Sequence, residues 1–322
     1  MADTAHRTQD FGANSWLVEE MYEQYRADEN SVSEAWREFF SDYRSSAPAP
    51  APVANGTTTP SAVVAPAPVA TATTNGTAPV AAPVAAPAPT AVVVPISEDA
   101  TVEPLRGVGA AIVTNMEKSL TVPTATSFRN VPARLLEVNR KVINDYRSLH
   151  GLSKVSFTHI IAHAIVRAIS DAVPNMRNAF TVGADGKPQL IRNPHVNVGL
   201  AVDVDKGDGT RSLVVPVLRN ADTLSFAQFL VAYDDIVRKV KSNKLTIADY
   251  QGANVSITNP GTIGTVQSVP RLMPGQGVIV GLGSIDYPAE FQGSDAANLN
   301  ALGVSKVVTV TSTYDHLSLI HI

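Results

Sequence analysis

The residues best suited to proton transfer stand near the end of this chain. Thr309–His316 reads Thr-Val-Thr-Ser-Thr-Tyr-Asp-His, an alternating β-branched run that predicts a strand carrying an Asp-His pair at its tip. An imidazole placed there can act as a general base, because its ordinary pKa of about 6.5 lies near physiological pH. A second polar cluster runs Val255-Ser256-Ile257-Thr258-Asn259-Pro260-Gly261-Thr262-Ile263-Gly264. A predicted strand over 254–258 ends here in hydroxyls, an amide and glycines, so backbone can approach a ligand closely. A hydroxyl or amide held there can donate to a developing oxyanion. An ordinary Asn-Pro-Gly turn explains the same residues, and a strand-end histidine is more often structural than catalytic.

Other candidates are weaker. His159 and His163 have the i, i+4 spacing of a zinc pair, but no Glu follows the first and no third ligand is evident, so they read as core or interface histidines. Lys206-Gly207-Asp208-Gly209, with Gly183, Asp185 and Gly186, is turn chemistry. No Gly-rich strand-to-helix fingerprint supports nicotinamide or ATP binding. No metal site is expected. The absence of Cys excludes disulfides, thiolate metal sites and a cysteine nucleophile, and suits a reducing compartment.

Three zones position these groups. Residues 1–44 hold an aromatic-rich segment that predicts two helices, with Trp16, Leu17, Met21, Tyr22 and Tyr25 near one face. Ser31-Val32-Ser33-Glu34 reads as a capping box opening the second, which carries Trp36, Phe39 and Phe40. So small a hairpin cannot hold itself together by burial. Its aromatic stripe must dock on something: the chain's own main domain is the plain alternative, and with a long linker behind it another domain or subunit is the expectation. Residues 45–97 contain no Lys, Arg, Asp or Glu and are dominated by Ala, Pro, Thr and Val, so 45–103 is expected to be a flexible, disordered tether. At ~3.1 Å per residue it spans on the order of 150 Å. Residues 104–322 alternate helices and strands. Leu105–Leu120, Pro132–Leu149, Ser156–Val173 and Phe226–Ser242 predict helices, the second with Leu135, Leu136, Val142, Ile143 and Tyr146 inward. Val196–Val204, Leu213–Leu218, Asn254–Thr258, Gly277–Ser284 and Ser305–Tyr314 predict strands. The fold class is α/β, a sandwich in which helices cover a mixed sheet. A net charge of −4 gives no reason to expect nucleic acid or anionic membrane. No signal peptide and no membrane helix is visible, so a cytoplasmic protein is expected.

Asn197-Val198-Gly199-Leu200-Ala201-Val202-Asp203, Leu213-Val214-Val215-Pro216-Val217-Leu218-Arg219, Ser256–Gly264, Gly277–Gly283 and Ser312–His316 together resemble the catalytic domain of 2-oxoacid dehydrogenase acyltransferases. Phe11–Tyr22 resembles the N-terminal segment of the thiamine-dependent 2-oxoglutarate dehydrogenase component. Both on one chain is the pattern of the actinobacterial multifunctional 2-oxoglutarate dehydrogenase/decarboxylase family. The resemblance implies a chloramphenicol acetyltransferase-like fold, trimeric cores and active sites between subunits. It makes His316 the base that takes the proton of a coenzyme A or dihydrolipoamide thiol, and Thr258 the oxyanion donor, with Ser256 and Asn259 as substrate-binding neighbours. It implies succinyl transfer from dihydrolipoyl lysine to coenzyme A in the tricarboxylic acid cycle. No lipoyl attachment turn is present, so the lipoyl group is expected on a partner, a lipoyl-bearing acyltransferase, with dihydrolipoyl dehydrogenase as a further partner. Thiamine diphosphate and Mg are expected only on a missing C-terminal part. Leu317–Ile322 departs from the family's His-x-x-x-Asp-Gly pattern, so the domain is expected to be truncated after His316, inactive by itself, and left with an uncovered strand edge. Two alternatives remain: a non-catalytic trimerising assembly module for the thiamine-dependent dehydrogenase, and an antibiotic acetyltransferase, for which the docking segment and tether have no role.

Overall fold

A computed structural model of the chain describes residues 15–43, 97, 99–106, 108–205 and 211–319. Most of the expected linker, and the Lys206–Gly209 turn, lie outside the described residues. Residues 48–104 make a unit of their own, while 1–47 and 105–322 make the other.

The helical segment contains α1 (Ser15–Ala27) and α2 (Glu34–Asp42). The expected capping box does not form. Ser33 is the N-cap of α2 and makes no side-chain cap, while the Ser31 hydroxyl donates to the carbonyls of Gln24 and Asp28. Ser31 therefore closes the short 3-10 turn between the helices, a local bond that outcompetes the cap. α1 packs on α3 (Val108–Leu120), and Val18, Met21, Trp36 and Phe40 join the main hydrophobic core. Trp36 is only 3% exposed. It stacks on Phe40 at 5.2 Å and meets Tyr250 at 6.5 Å. Of the stripe expected to find another domain or subunit, Met21, Trp36 and Phe40 are thus covered by their own chain, while the Trp16 and Leu17 side chains lie outside the described residues.

The sheet holds six strands in the order β1 (Thr124–Pro132), β10 (Val307–Asp315), β9 (Val278–Asp286), β8 (Val255–Thr258), β4 (Val198–Leu200) and β7 (Val217–Leu218). β4–β8 and β8–β9 are parallel and the remaining pairs antiparallel, the mixed sheet expected. Two small ribbons, β2 (Ala179–Val182) with β3 (Pro188–Ile191) and β5 (Val202–Asp205) with β6 (Arg211–Val214), stand apart from it. The two longer strands predicted over 196–204 and 213–218 are therefore each broken between sheets. Pro216, which lacks an N–H to donate, lies in the second break. The edges of the sheet are β1 and β7, and β10 pairs on both sides. Its buried threonines are all satisfied: Thr309 by Asn130, Thr311 by the Gly281 carbonyl, and Thr313 by Thr126.

α4 (Arg134–Leu149), α5 (Phe157–Asp171), α6 (Phe226–Lys241) and the short α7 (Ala296–Ala301) complete the domain. α5 is capped reciprocally by Ser156 and His159 and buries Ala162, Val166 and Ile169. α4 is turned away from its expected phase. Leu136 and Ile143 are half-buried, but Leu135, Val142 and Tyr146 are 70%, 63% and 60% exposed. The inward face instead carries polar side chains that hold the 151–156 loop. Asn144 exchanges two hydrogen bonds with the Val155 backbone, Arg147 donates to the Ser153 carbonyl, and Arg140 lies over the Phe157 ring. Hydrophobic periodicity cannot anticipate a face chosen by backbone hydrogen-bond demand.

Candidate active site

β8 delivers Ser256, Thr258 and Asn259 to very different surroundings. Ser256 is 4% exposed, and its hydroxyl donates to Gln276 Oε1 at 2.9 Å. That bond ties β8 to the loop ahead of β9 and turns Ser256 inward. Thr258 ends the strand and is half-buried. Asn259 follows in a non-helical conformation as the cap of a 3-10 turn over Pro260–Ile263. Its side-chain amide donates to Thr158 Oγ1 at 2.8 Å, and its carbonyl accepts from the Thr262 hydroxyl at 3.1 Å. A Cβ on Gly261 would collide with the Gly283 carbonyl of β9, so glycine is what lets the turn lie flat on the sheet. The turn is packed and fixed rather than a loose surface loop.

His316 follows β10 and is exposed. Its backbone N–H donates to the Pro123 carbonyl at 2.9 Å, which extends the β1–β10 ladder by one step. Asp315, by contrast, is 4% exposed. Its carboxylate accepts from the backbone N–H groups of Phe180 (3.2 Å) and Leu317 (3.0 Å). The Asp-His pair is therefore not a hydrogen-bonded dyad. Asp315 is an anchor that fixes the strand end, and with it the backbone from which His316 projects.

Strand register separates the two clusters. Thr258 pairs with Gly281, and Gly281 pairs with Thr311. His316 lies five residues beyond Thr311. At about 3.3 Å per residue along the strand and about 4.8 Å between strands, Thr258 and His316 of one chain are roughly 19 Å apart. One chain does not bring them together around a single thioester.

The other histidines have structural surroundings. His159 Nδ1 accepts from the Ser156 N–H, and its Nε2 faces Asp234 at 3.5 Å. Burial lowers its pKa, the Asp234 carboxylate offsets part of this, and Arg147 adds to the lowering. His163 packs edge-on against Phe226 and Phe229. Among the described residues no group of three or more His, Asp or Glu could hold a metal ion, and no helix is long and apolar enough to cross a membrane. The Thr158–Asn259 bond was invisible in sequence, because its partners lie 101 residues apart.

This fold is shared with dihydrolipoamide acetyltransferase cores. The enzyme of Azotobacter vinelandii, in which a serine, a histidine and an asparagine have been studied for their catalytic roles, superposes with a TM-score of 0.56 at 24% identity, covering 69% of this chain and 88% of that one. A probable dihydrolipoamide acetyltransferase from Listeria monocytogenes gives 0.54 at 23% identity, over 68% and 87%. The expected chloramphenicol acetyltransferase-like architecture is the one found.

Residues 97–319 match the profile of the 2-oxoacid dehydrogenase acyltransferase catalytic domain, and residues 10–47 that of the 2-oxoglutarate dehydrogenase N-terminus. The chain belongs to the 2-oxoacid dehydrogenase acyltransferase family. It is 46% identical over 328 residues to the multifunctional 2-oxoglutarate metabolism enzyme of Mycolicibacterium vanbaalenii, and 51% identical over 312 residues to the 2-oxoglutarate dehydrogenase E1/E2 component of Corynebacterium glutamicum. Each alignment covers 95% of this chain but only 26% and 25% of the relative. The chain thus spans about a quarter of the length of these relatives.

Proposed function

We propose that this domain transfers a succinyl group from a dihydrolipoyl thioester to coenzyme A, within a 2-oxoglutarate dehydrogenase system. The observation that carries the reading is the placement of Thr258 and His316 at two separately anchored strand ends of one sheet, in a chain that matches the acyltransferase family across 97–319. His316 takes the thiol proton of coenzyme A. The resulting sulfur attacks the thioester carbonyl, and the tetrahedral oxyanion accepts a hydrogen bond from the Thr258 hydroxyl. Collapse expels the dihydrolipoyl sulfur, which recovers the proton from the His316 imidazolium. General-base and oxyanion contributions of this kind supply about 10²–10⁴ and about 10²–10³ in rate.

The ~19 Å separation within one chain supports a joint site, in which His316 of one copy meets Thr258 of the next across the interface of a closed trimer. The lipoyl group comes from a lipoyl-bearing acyltransferase partner, and dihydrolipoyl dehydrogenase reoxidises it. Thiamine diphosphate and Mg²⁺ belong to a thiamine-dependent part outside this chain, where 2-oxoglutarate is decarboxylated. The protein operates in the cytoplasm. Ser256 contributes by bracing β8 through Gln276, and Asn259 by shaping the turn beside Thr258.

The test is thioester exchange between S-succinyl-dihydrolipoamide and coenzyme A. His316→Ala is expected to slow it at least a hundredfold; an unchanged rate removes His316 from the chemistry. One observation favours a second reading, a non-catalytic trimerising module: Asp315 holds backbone amides and leaves the His316 imidazole unoriented. Calorimetry that detects no coenzyme A binding by the trimer would support that reading instead.

A further inference from the structure

The Thr258 hydroxyl can stabilise an oxyanion only if its position is set to within a few tenths of an ångström, because pre-organisation is what distinguishes such a donor from water. Thr258 is the last residue of β8, where the ladder to β9 ends. Its placement therefore depends on what holds the next residue. Asn259 is held twice, through its carbonyl by Thr262 and through its side chain by Thr158. The first bond lies within the turn itself. The second reaches across to α5.

Thr158 is well suited to this. It lies in the first turn of α5, between the two residues that cap that helix reciprocally. The Ser156 hydroxyl accepts from the His159 N–H at 3.3 Å, and His159 Nδ1 accepts from the Ser156 N–H at 3.1 Å. Further along, Ala162, Val166 and Ile169 of α5 are buried in the main hydrophobic core. The Thr158 hydroxyl oxygen is the acceptor of this bond, and its lone pairs serve the Asn259 amide whatever the hydroxyl hydrogen donates to. With Gly261 lying against the Gly283 carbonyl, the turn has little freedom to find another resting place.

We infer that Thr158 is a positioning residue for acyl transfer, holding Asn259 so that the adjoining Thr258 hydroxyl stays aimed at the oxyanion. The inference rests on the catalytic reading of Thr258 proposed above. It assigns the role to a helix that contributes no reacting group.

The experiment is steady-state succinyl transfer to coenzyme A by the full-length protein carrying Thr158→Val, Thr158→Ser or Thr258→Ala. Thr158→Val keeps the side-chain volume and removes the acceptor. It is expected to lower kcat about tenfold, the loss from one neutral hydrogen bond of ordinary strength. KM for coenzyme A should stay within about twofold, and the pH profile should be unchanged because His316 is untouched. Thr158→Ser should restore kcat. Full-speed Thr158→Val beside slow Thr258→Ala overturns the positioning role alone, whereas full-speed Thr258→Ala overturns the oxyanion assignment itself. A Thr158→Ser protein as slow as Thr158→Val also refutes the inference, because it keeps the hydroxyl. Should Thr158→Val not fold, Thr158→Ala removes the same acceptor with less bulk and is judged by the same kcat criterion.

Discussion

Replacing Trp36 by Ala should release the N-terminal hairpin while leaving the acyltransferase sheet folded. Trp36 is 3% exposed and touches aromatic rings on both sides of the junction, Phe39 and Phe40 within the hairpin and Tyr250 in the main domain. Truncating a buried Trp to Ala typically costs about 3–5 kcal/mol. Even the lower figure shifts the docked/undocked ratio about 10²-fold. The hairpin has few resources to absorb that loss, because α1 and α2 are short helices that an isolated chain would barely populate. β8, β9 and β10 take their ladder partners from the sheet itself, β8 lying between β4 and β9, and β10 between β9 and β1. Native-state hydrogen exchange is the appropriate assay, since it reads each element separately. Amides of α1 and α2 should exchange about 10²-fold faster in Trp36→Ala, those of α3 should follow in part, and those of β8–β10 should be unaffected. Two results would refute the reasoning. Hairpin amides as protected as before would mean that Trp36 does not hold the contact. Equal acceleration in the sheet would mean that hairpin and domain unfold as one cooperative unit.

Ser256→Ala should lower stability by about 1–3 kcal/mol, because it leaves the buried Gln276 Oε1 without its donor; urea unfolding measures this, with coenzyme A affinity expected unchanged. His159 should make stability fall as the medium is acidified. Its folded pKa lies below the ordinary 6.5, so below about pH 6.5 the unfolded chain takes up a proton that the folded chain refuses. Stability is therefore complete above the unfolded value and declines as pH drops toward the folded one. The difference in urea midpoint between wild type and His159→Gln across pH 5–8 checks the sign.

The strands that hold the proposed site are legible in sequence because they are simple. β8 and β10 are β-branched runs with clear ends, and their boundaries agree with expectation to within two residues. Phe226–Lys241 and Phe157–Asp171 are equally clear, and in the structure each opens on a Ser cap. What was hidden depends on partners distant in sequence. The aromatic stripe on α1 and α2 signalled docking, but nothing in the sequence pointed to Tyr250 as its neighbour. The phase of α4 differs from its hydrophobic pattern because Asn144 and Arg147 serve a backbone loop, a demand that such a pattern does not record. Within the site, residue types single out the run Val255–Gly264, and the family resemblance implies Thr258 with Ser256 and Asn259 as neighbours. Only three-dimensional placement shows that Ser256 faces Gln276 and Asn259 faces Thr158, while Thr258 stands at the strand's end.

The distance between Thr258 and His316 has a genetic consequence. If each site draws its base from one copy and its donor from the next, the two defects complement each other. Neither His316→Ala nor Thr258→Ala homotrimers would contain a working site. Trimers assembled at random from equal amounts of both variants would unite an intact His316 with an intact Thr258 at about one interface in four. Two inactive proteins, unfolded and refolded together, should then recover about a quarter of wild-type turnover. Mixed without subunit exchange, they should recover none.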